Sequence, residues 1–289
     1  MIPTQIACPL RRSRARIPDP GRTAVRALYE ELALYPKPGL VSPVDAGSHS
    51  DMNMQTFLRS LFALRGYFRE ISAAGAADAD FTTLNALGRT AEARMLTATG
   101  GINTHRGAVF ALGLLAAAAG YLRARSEELD GQQLGRTVVE RWGAAIAAAT
   151  PPAHAAPSSN GERVARRYGA GGARAEALAG FPAIFELALP ALQSTLAATG
   201  CLRRARMQAL FVTMARLEDT NLLHRGGTAG LAFVRERAQR FVARGGTLCD
   251  DWVHEAQALH EACVARRLSP GGSADVLAAT CFVHALQDA

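Results

Sequence analysis

The sequence predicts an all-α fold, a single large bundle of about ten helices with one helix buried at its centre. Apolar residues recur at the spacing of amphipathic helices along most of the 289 residues. Alternating β-branched runs are almost absent, so no sheet is predicted. Residues 108–119 are apolar on every side, which is typical of a helix enclosed by other helices.

The helices are predicted one after another, separated by polar connections. Their ranges are Thr23–Leu34, Met54–Ser72, Leu84–Thr97, Thr104–Arg125, Gly131–Thr150, Ala175–Ala198, Leu202–Leu217, Thr228–Arg244, Cys249–Arg267 and Ser273–Gln287. A proline-rich break at Pro151–Gly161 is either a linker between subdomains or a long loop. We favour a loop, since the polar segments on both sides are expected to act together, and so predict one catalytic domain over residues 23–289.

Composition excludes several classes of protein. With 49% hydrophobic residues the chain can form a substantial core. Its longest apolar run, Ala108–Ala119, is shorter than the ~18–20 residues that cross a bilayer, so no membrane association is predicted. No signal peptide is apparent, and the protein is expected in the cytoplasm. The five cysteines form no C-x-x-C pair, which favours reduced thiols over a zinc site.

The positive charge is concentrated at the N-terminus. Residues 1–22 hold five arginines against one aspartate, a charge of +4 out of the net +7. We interpret them as a basic, mobile extension, which leaves the remaining chain only weakly basic. Aromatic residues do not alternate with basic ones as in single-strand binders, so no nucleic-acid partner is predicted.

Four segments interrupt the helical background with dense polar and glycine residues. They are the first polar segment, 35–52, the second, 101–107, the third, 168–176, and the fourth, 218–227. A bundle needs only short connections, so loops that concentrate Lys, His, Asp, Asn, Arg and Gly together predict a site for a charged ligand.

The first polar segment offers a lysine, a histidine and two aspartates. Prolines on both sides of Lys37 stiffen the backbone and would present its ammonium to a phosphate, although an ordinary turn with a solvated lysine remains open. His49 and Asp51 converge only if the loop brings them together. Asp51 equally fits an N-cap for a helix that begins near Met52.

The second polar segment opens the apolar central helix. Asn103 and Thr104 are good N-cap residues, and the free N–H groups of the helix start together with Arg106 form an anion site. His105 is a candidate proton donor or triphosphate contact, with a plain helix-start histidine as the alternative.

The third and fourth polar segments add further candidates. Glycines before Arg174 and Glu176 permit a close approach to a ligand, but the segment lacks the strand–loop–helix context of a P-loop. The fourth segment is predicted to end a helix and then turn at Arg225. Asp219, beside Asn221, is either a Mg²⁺ ligand or part of a helix C-terminus with a glycine stop, and Arg225 is a candidate phosphate ligand.

Together the segments indicate a nucleotide-using enzyme without identifying the bond that it breaks. The candidate cations for a polyphosphate are Lys37, Arg106, Arg174 and Arg225. The candidate carboxylates for Mg²⁺ or proton transfer are Glu31, Asp45, Asp51, Glu176 and Asp219.

Read in order, these motifs resemble the triphosphoribosyl-dephospho-CoA synthase family over roughly residues 23 to 285. The matching stretches are Glu31 with Pro36–Val41, Gly47–Met52, Gly101–Gly107, Gly172–Ala177 leading to Gly180-Phe181-Pro182, and Asp219–Gly227. The resemblance implies that ATP donates its triphosphoribosyl group to the ribose 2′-hydroxyl of 3′-dephospho-CoA and releases adenine. The product is the prosthetic-group precursor for the acyl carrier subunit of malonate decarboxylase or citrate lyase.

The resemblance also implies roles for individual residues. Substrate binding is expected of Lys37, Arg106 and Arg225, with Asn103, Thr104, Arg174 and Asn221. Mg²⁺ is expected as cofactor, on Asp51 and Asp219 with Glu31 as a third candidate. Acid and base roles are expected of His49, Glu176 or His105, without a single assignment.

Two positions depart from the family pattern. Ser42 stands where the citrate lyase branch has aspartate after Gly-Leu-Val, with Asp45 three positions later, which favours the malonate decarboxylase branch. Ala175 replaces the glycine between Arg174 and Glu176, so that position is helical or its geometry differs. The expected functional partners are the malonate decarboxylase acyl carrier protein and its phosphoribosyl-dephospho-CoA transferase. The oligomeric state is left open, with a homodimer as one option.

Other functions compete with this one. A magnesium-dependent hydrolase of nucleotides or ADP-ribose would use water as the acceptor and release the base without dephospho-CoA. A non-catalytic assembly factor would bind dephospho-CoA without turnover.

Overall fold

The computed structural model describes residues 19–127, 129–149 and 160–288. Most of the predicted basic extension and most of the proline-rich break therefore lie outside the described residues, as does Cys8. Within these ranges the chain forms twelve α-helices and no strand, which confirms the all-α prediction.

The helices follow one another along the chain, joined by turns and loops. In order they are α1 (Pro20–Leu32), α2 (Met54–Ala76), α3 (Phe81–Thr99), α4 (Arg106–Ala124), α5 (Gly131–Ala148), α6 (Asn160–Tyr168), α7 (Gly172–Leu178), α8 (Leu189–Thr199), α9 (Leu202–Arg216), α10 (Thr220–Ala243), α11 (Trp252–Ala265) and α12 (Gly271–Gln287). A π-helical stretch covers Ala183–Ala188, and a 3₁₀ turn covers Gly246–Leu248.

Helix α4 is the buried central helix that the sequence predicts. It packs against α1, α2, α3, α5, α7 and α12, and most of its residues are buried. Its length and apolar composition would also suit a membrane span, but burial among other helices is the ordinary state of a core helix. Glycines bring α2 and α4 into close contact, because a Cβ on Gly75 or Gly120 would overlap the backbone of the other helix.

The predicted single helix Ala175–Ala198 is wrong. Gly180 and Phe181 have φ values of 76° and 62°, and Pro182 follows them. This left-handed pair ends α7, and the chain restarts as the π-helical stretch that leads into α8. The third polar segment is also more helical than predicted, since α6 ends at its first residue, Tyr168, and α7 covers residues 172–176.

Expected caps and boundaries at four other places also differ from the structure. Asn53 rather than Asp51 caps α2, and Asp219 caps the start of α10 rather than lying at a helix C-terminus. The predicted turn at Arg225–Gly227 is reduced to one residue, because only Gly227, with φ 59° and ψ −160°, is non-helical inside α10. Asp19 caps α1 from Pro20, so the predicted domain boundary at residue 22 falls inside a helix.

Candidate active site

The start of α12 organises the polar segments in space. Ser48 of the first segment donates a 2.5 Å hydrogen bond to the carbonyl of Leu268. Asp219 of the fourth segment accepts hydrogen bonds from the backbone at the first turn of α12. Asp275 of α12 lies against Gly107 in the second segment. Segments far apart in sequence therefore meet around residues 268–275, which we call the α12 entry.

The flanking prolines predict that Lys37 is presented toward a phosphate. In the structure Lys37 instead lies in the interior. Its side chain is 1% exposed, and Nζ donates to Oε1 of Glu31 at 2.5 Å and to the carbonyl of Glu31 at 2.8 Å. Burial lowers the pKa of Lys37, while the charge of Glu31 opposes that shift. In this state Lys37 is the counter-ion of Glu31, because the loop turns the ammonium inward.

His105 is buried beside this pair. Its Nδ1 lies 2.6 Å from the hydroxyl of Ser60, and its ring packs edge-on against Phe57. Burial and the nearby charge of Lys37 lower the pKa of His105 to about 3, so the imidazole is neutral at ordinary pH. Its Nε2 is buried, and it has no hydrogen-bond partner among the described residues.

Asp219 joins the starts of two helices. Its Oδ1 accepts hydrogen bonds from the N–H groups of Asn221, Leu222 and Gly272, and its Oδ2 accepts from the N–H and hydroxyl of Ser273. Burial raises the pKa of Asp219, and these donors oppose the rise. The carboxylate is thus a double helix cap that locks the α12 entry onto α10. Asn221 lies beside it, with its amide against Gly271.

His49, Arg225 and Ser269 form an outer cluster on the other side of the α12 entry. His49 Nε2 lies 2.9 Å from the Ser269 hydroxyl, and its Nδ1 lies 2.9 Å from Nη2 of Arg225. Arg225 also donates to the carbonyls of Ser48 and Arg267, each at 3.1 Å. The first and fourth polar segments therefore meet at this cluster.

The contacts of His49 fix its tautomer. Because a guanidinium only donates, Nδ1 must accept from Arg225 and Nε2–H must donate to Ser269. The histidine is therefore not oriented to take a proton from Ser269, and the pair is not an activated serine nucleophile. Burial and Arg225 lower the pKa of His49 to about 4, against the opposing charge of Asp51. Asp51 itself is exposed, with its Oδ1 3.7 Å from His49 Nδ1.

The second segment forms the wall next to α12. The side chain of Asn103 accepts a hydrogen bond from the N–H of Arg106 at 3.1 Å, as a cap does, whereas Thr104 Oγ1 is buried without a partner in the described structure. The guanidinium of Arg106 pairs with Glu92 of α3 at 3.0 Å. The predicted anion site at the start of α4 already faces a carboxyl group of the protein, since the Ala108 N–H interacts with Asp275.

The third segment touches the fourth but belongs to a different neighbourhood. Gly172 lies against Thr220, while Arg174 donates to the carbonyl of Ile146 on α5. Glu176 accepts a 3.0 Å hydrogen bond from the N–H of Ala183, and burial followed by the charge of Glu186 raises its pKa. Glu176 therefore stabilises the break between α7 and the π-helical stretch through a hydrogen bond across it.

The three predicted magnesium ligands do not come together. Asp219 is saturated by five donors, Glu31 is paired with Lys37, and Asp51 is on the exposed loop near His49. In the described ranges no three His, Cys, Asp or Glu side chains form a cluster that could hold a metal ion. The protein side chains alone thus do not make the predicted three-carboxylate centre.

Two large surface cavities lie away from these residues. One, of about 540 Å³, lies between α1 and α2 and includes Arg22, Arg65 and Arg69. The other, of about 430 Å³, lies between α9, α10 and α11. Neither is lined by a predicted site residue, so cavity size does not locate the chemistry here.

Comparisons with known proteins agree with the motifs. The family model for ATP:dephospho-CoA triphosphoribosyl transferase matches residues 18–289. This chain belongs to that family. It is 39% identical over 257 residues to a probable 2-(5''-triphosphoribosyl)-3'-dephosphocoenzyme-A synthase of Acinetobacter calcoaceticus, covering 89% of this chain and 87% of the relative. It is 40% identical to the synthase of Klebsiella pneumoniae, covering 90% and 88% of the two chains.

The transferase family membership confirms the resemblance seen in the sequence and establishes the chain as an enzyme of this family. A synthase of Pectobacterium atrosepticum is also 40% identical, over 94% of this chain and 91% of the relative. No solved structure matches the chain. The choice between the malonate decarboxylase and citrate lyase branches stays a prediction.

Sequence reasoning missed the α12 entry, and with it Ser269, Ser273 and Asp275. The signal was present in the sequence, since Ser269-Pro270-Gly271-Gly272-Ser273 is a polar, glycine-rich stretch that opens an apolar helix, as the second polar segment does. The predicted helix Ser273–Gln287 contains Asp275. A charged residue on the mainly apolar helix was a further signal, because aspartate is rarely buried without a partner.

Proposed function

We propose that this protein transfers the triphosphoribosyl group of ATP to the ribose 2′-hydroxyl of 3′-dephospho-CoA and releases adenine. The observation that carries the proposal is the family match over residues 18–289, which spans all four polar segments. The meeting of three of these segments at the α12 entry adds support, because it places cations, neutral histidines and carboxyl groups in one region.

The reaction makes three chemical demands. Breaking the bond between ribose and adenine passes through an oxocarbenium-like state, which is stabilised by nearby negative charge. Adenine must gain a proton as it leaves, and the acceptor hydroxyl must lose one. The triphosphate must be held by cations and hydrogen-bond donors.

We assign triphosphate binding to Arg225 and Arg106 at the edges of the site, with Asn103, Thr104, Asn221 and Arg174 as further substrate contacts. Lys37 contributes its charge from the interior, since it is buried against Glu31. The proton-handling candidates remain His49, His105 and Glu176. Both histidines are neutral at pH 7, because their pKa values are about 4 and about 3, and such low values make them weak bases. His105 Nε2 has no partner among the described residues, whereas His49 Nδ1 already accepts from Arg225.

Magnesium enters this proposal with ATP. Mg²⁺ is commonly held by one or two carboxylates together with substrate phosphates, so a dedicated cage of protein ligands is not required. Asp51 fits such a role, because it is exposed and lies beside Arg225 and His49. Glu31 and Asp219 do not fit as direct ligands in this geometry. The ion would neutralise charge on the bound triphosphate.

We also propose that the product serves malonate decarboxylase rather than citrate lyase. The support is the departure from the citrate lyase pattern, with Ser42 after Gly-Leu-Val and Asp45 three positions later. In the structure these two residues form one turn in which the Ser42 N–H donates to the Asp45 carbonyl at 3.0 Å, and Asp45 Oδ2 lies 3.2 Å from Nε2 of His260. The cytoplasmic location, the two protein partners and a homodimer stay predictions.

The deciding experiment incubates the purified protein with ATP, 3′-dephospho-CoA and Mg²⁺. Free adenine is followed by chromatography and the CoA species by mass spectrometry. We expect adenine only when the acceptor is present, and an acceptor that gains the mass of one triphosphoribosyl group. Adenine without acceptor would instead indicate a hydrolase, and binding of dephospho-CoA without turnover would indicate an assembly factor.

The branch is tested by a second experiment. Because both branches use the same compound, the test is made in cells, where the gene for this protein is disrupted and the acyl carrier subunits are examined by intact mass. We expect the malonate decarboxylase subunit to lose its prosthetic group and any citrate lyase subunit in the same cells to keep it. Loss of the group from the citrate lyase subunit alone would refute the proposed branch.

A further inference from the structure

Asp275 lies where the first turns of α4 and α12 meet. Gly107 provides the space for it, because a Cβ at that position would overlap Oδ2 of Asp275. The Ala108 N–H interacts with the same carboxyl group and opposes the rise in its pKa. The side chain therefore reaches from α12 to the N-terminus of α4, where the second polar segment meets the α12 entry.

The residues around this position keep some solvent exposure, although protein atoms surround the Asp275 carboxyl group. Asp275 is partly exposed, and so are Arg106 and Gly107 on the α4 side and Gly271 and Gly272 on the α12 side. Partly exposed residues of both helix starts thus flank Asp275, and we call this meeting point of α4 and α12 the crevice. The nearby carboxyls of Glu31 and Asp219 are, in contrast, only 5% and 1% exposed.

The electrostatic surroundings single out Asp275 among these carboxyls. Glu31 of α1 is paired with the Lys37 ammonium, and Asp219 accepts from five donors. Within the described residues, only the Ala108 N–H favours the charged form of Asp275. Burial, then the charge of Glu31, then that of Asp219 raise the pKa of Asp275 well above its usual range. The cationic side chain at this end of α4, Arg106, is paired with Glu92 of α3. Asp275 is thus the least compensated carboxyl group in this part of the molecule.

A second observation points to a ligand at the same place. Besides Arg106 Nε, which is ion-paired with Glu92, the residues that lead into Gly107 contain two buried polar atoms without a hydrogen-bond partner in the described ranges, Thr104 Oγ1 and His105 Nε2. His105 is 3% exposed and close enough to Lys37 for that charge to lower its pKa. Buried polar atoms of folded proteins are nearly always paired, so these two atoms indicate missing partners beside the crevice.

We propose that Asp275 is a catalytic residue of the transfer, the carboxyl group that faces the reacting ribose and adenine in the crevice between the starts of α4 and α12. The inference rests on the proposed function and names a residue for it that neither the motifs nor the family match assigns. Asp275 acts as the general acid toward the departing adenine.

The proton and electron changes balance. The bond between C1′ of the ribose and N9 of adenine breaks, and its electron pair goes to adenine, which takes a proton on a ring nitrogen from the Asp275 carboxyl group. The 2′-hydroxyl oxygen of dephospho-CoA bonds to C1′ and gives up its proton, which returns to the Asp275 carboxylate through solvent. The carboxylate left after the first transfer also lies beside the positive charge on the ribose.

The experiment compares Asp275→Asn and Asp275→Ala with the full-length wild-type protein in the adenine-release assay. Asp275→Asn keeps the size of the side chain and an acceptor for the Ala108 N–H but cannot donate an acid proton. Val276→Ala is the matched control, because it trims a partly buried apolar neighbour on the same helix. Initial rates give kcat and KM for both substrates between pH 5 and pH 9, and thermal unfolding monitors the fold.

We expect both Asp275 variants to lose at least ~100-fold in kcat, with KM values within about threefold of wild type, the range in which a general acid contributes. The wild-type kcat should fall as pH rises through the pKa of the acid, and the residual activity of Asp275→Asn should lack that decline. Val276→Ala should retain its kcat.

Three results would overturn the proposal. One is Asp275→Asn activity within threefold of wild type, and another is a loss confined to KM. The third is a loss of kcat in step with unfolding of both variants, which would make Asp275 structural. An inactive wild-type protein would instead refute the proposed function, so the two failures are distinguishable.

Discussion

At the scale of single residues, the buried pair of Lys37 and Glu31 dominates the interior of the site. Removing one partner leaves an uncompensated charge, so Lys37→Met and Glu31→Gln should each lower the free energy of unfolding by about 3–5 kcal/mol. The double variant should cost less than the sum of the two. Urea denaturation measures all three.

Its control is a solvent-exposed pair. Arg240 and Glu236 form an ion pair one helical turn apart on α10, with side chains 63% and 59% exposed. Arg240→Gln should change the free energy of unfolding by less than about 0.5 kcal/mol. Equal costs for the buried and exposed pairs would show that Lys37 is not held inside the protein in solution.

Arg225 differs because its guanidinium bridges three acceptors at the outer cluster. It donates to the carbonyls of Ser48 and Arg267 and to His49 Nδ1, a geometry that lysine cannot reproduce. If it also binds the triphosphate, Arg225→Ala and Arg225→Lys should raise KM for ATP about tenfold or more, which corresponds to about 1.4 kcal/mol. Arg123→Ala, an exposed arginine at the end of α4, should leave KM unchanged. An ATP KM unaltered in both Arg225 variants would remove Arg225 from the triphosphate site.

At the scale of secondary-structure elements, the contact between α2 and α4 depends on glycine. A Cβ on Gly75 would overlap the backbone of Ala117, and a Cβ on Gly120 would overlap that of Ser72. Gly75→Ala and Gly120→Ala should therefore force the helices apart and destabilise the protein by about 1–3 kcal/mol. Differential scanning calorimetry would show the shift in Tm.

Gly66, also on α2, is the matched control. Its nearest neighbour would be Oε1 of Glu70, 3.5 Å from the added Cβ, which is an ordinary contact. Gly66→Ala should stabilise the helix by up to about 1 kcal/mol, because alanine loses less backbone entropy than glycine. A stabilising Gly75→Ala would mean that the two helices are not in close contact.

The elements also show what a sequence can and cannot predict. The burial of α4 was predictable, because an apolar face all round leaves no other position for a helix. The break at Gly180–Pro182 was predictable in principle, since glycine and proline stand two residues apart, but the continuous apolar pattern on both sides hid it. The left-handed Phe181 that completes the break carries no sequence signature of its own.

At the scale of the whole molecule, the site is assembled from distant parts of the chain. Ser48 pairs with Leu268, 220 residues away, and Asp219 with Ser273, 54 residues away. Local patterns indicated which loops were functional, but not that Lys37 turns inward or that Asp219 caps two helices. Those facts depend on which helices pack together, and no local propensity encodes that.

Helix packing also sets how stability responds to pH. Burial holds the folded-state pKa of His105 at about 3, well below the ordinary value of 6.5 that it regains on unfolding. The unfolded chain therefore binds one more proton between these values, and stability falls as pH decreases from 6.5 toward 3. The contribution is complete above pH 6.5. Its slope approaches about 1.4 kcal/mol per pH unit near pH 5.

His105→Gln removes this titration while keeping a polar group that can bind Ser60. The free energy of unfolding is measured in urea at pH 7.5, 6 and 5. It should fall less steeply with decreasing pH in this variant than in wild type, and the two slopes should differ by about 1.4 kcal/mol per pH unit near pH 5. His254→Gln, at an exposed position on α11, should keep the wild-type slope. Parallel slopes for wild type and His105→Gln would mean that His105 is protonated in the folded protein. In that case the interior around Lys37 would have to contain an anion that compensates both charges.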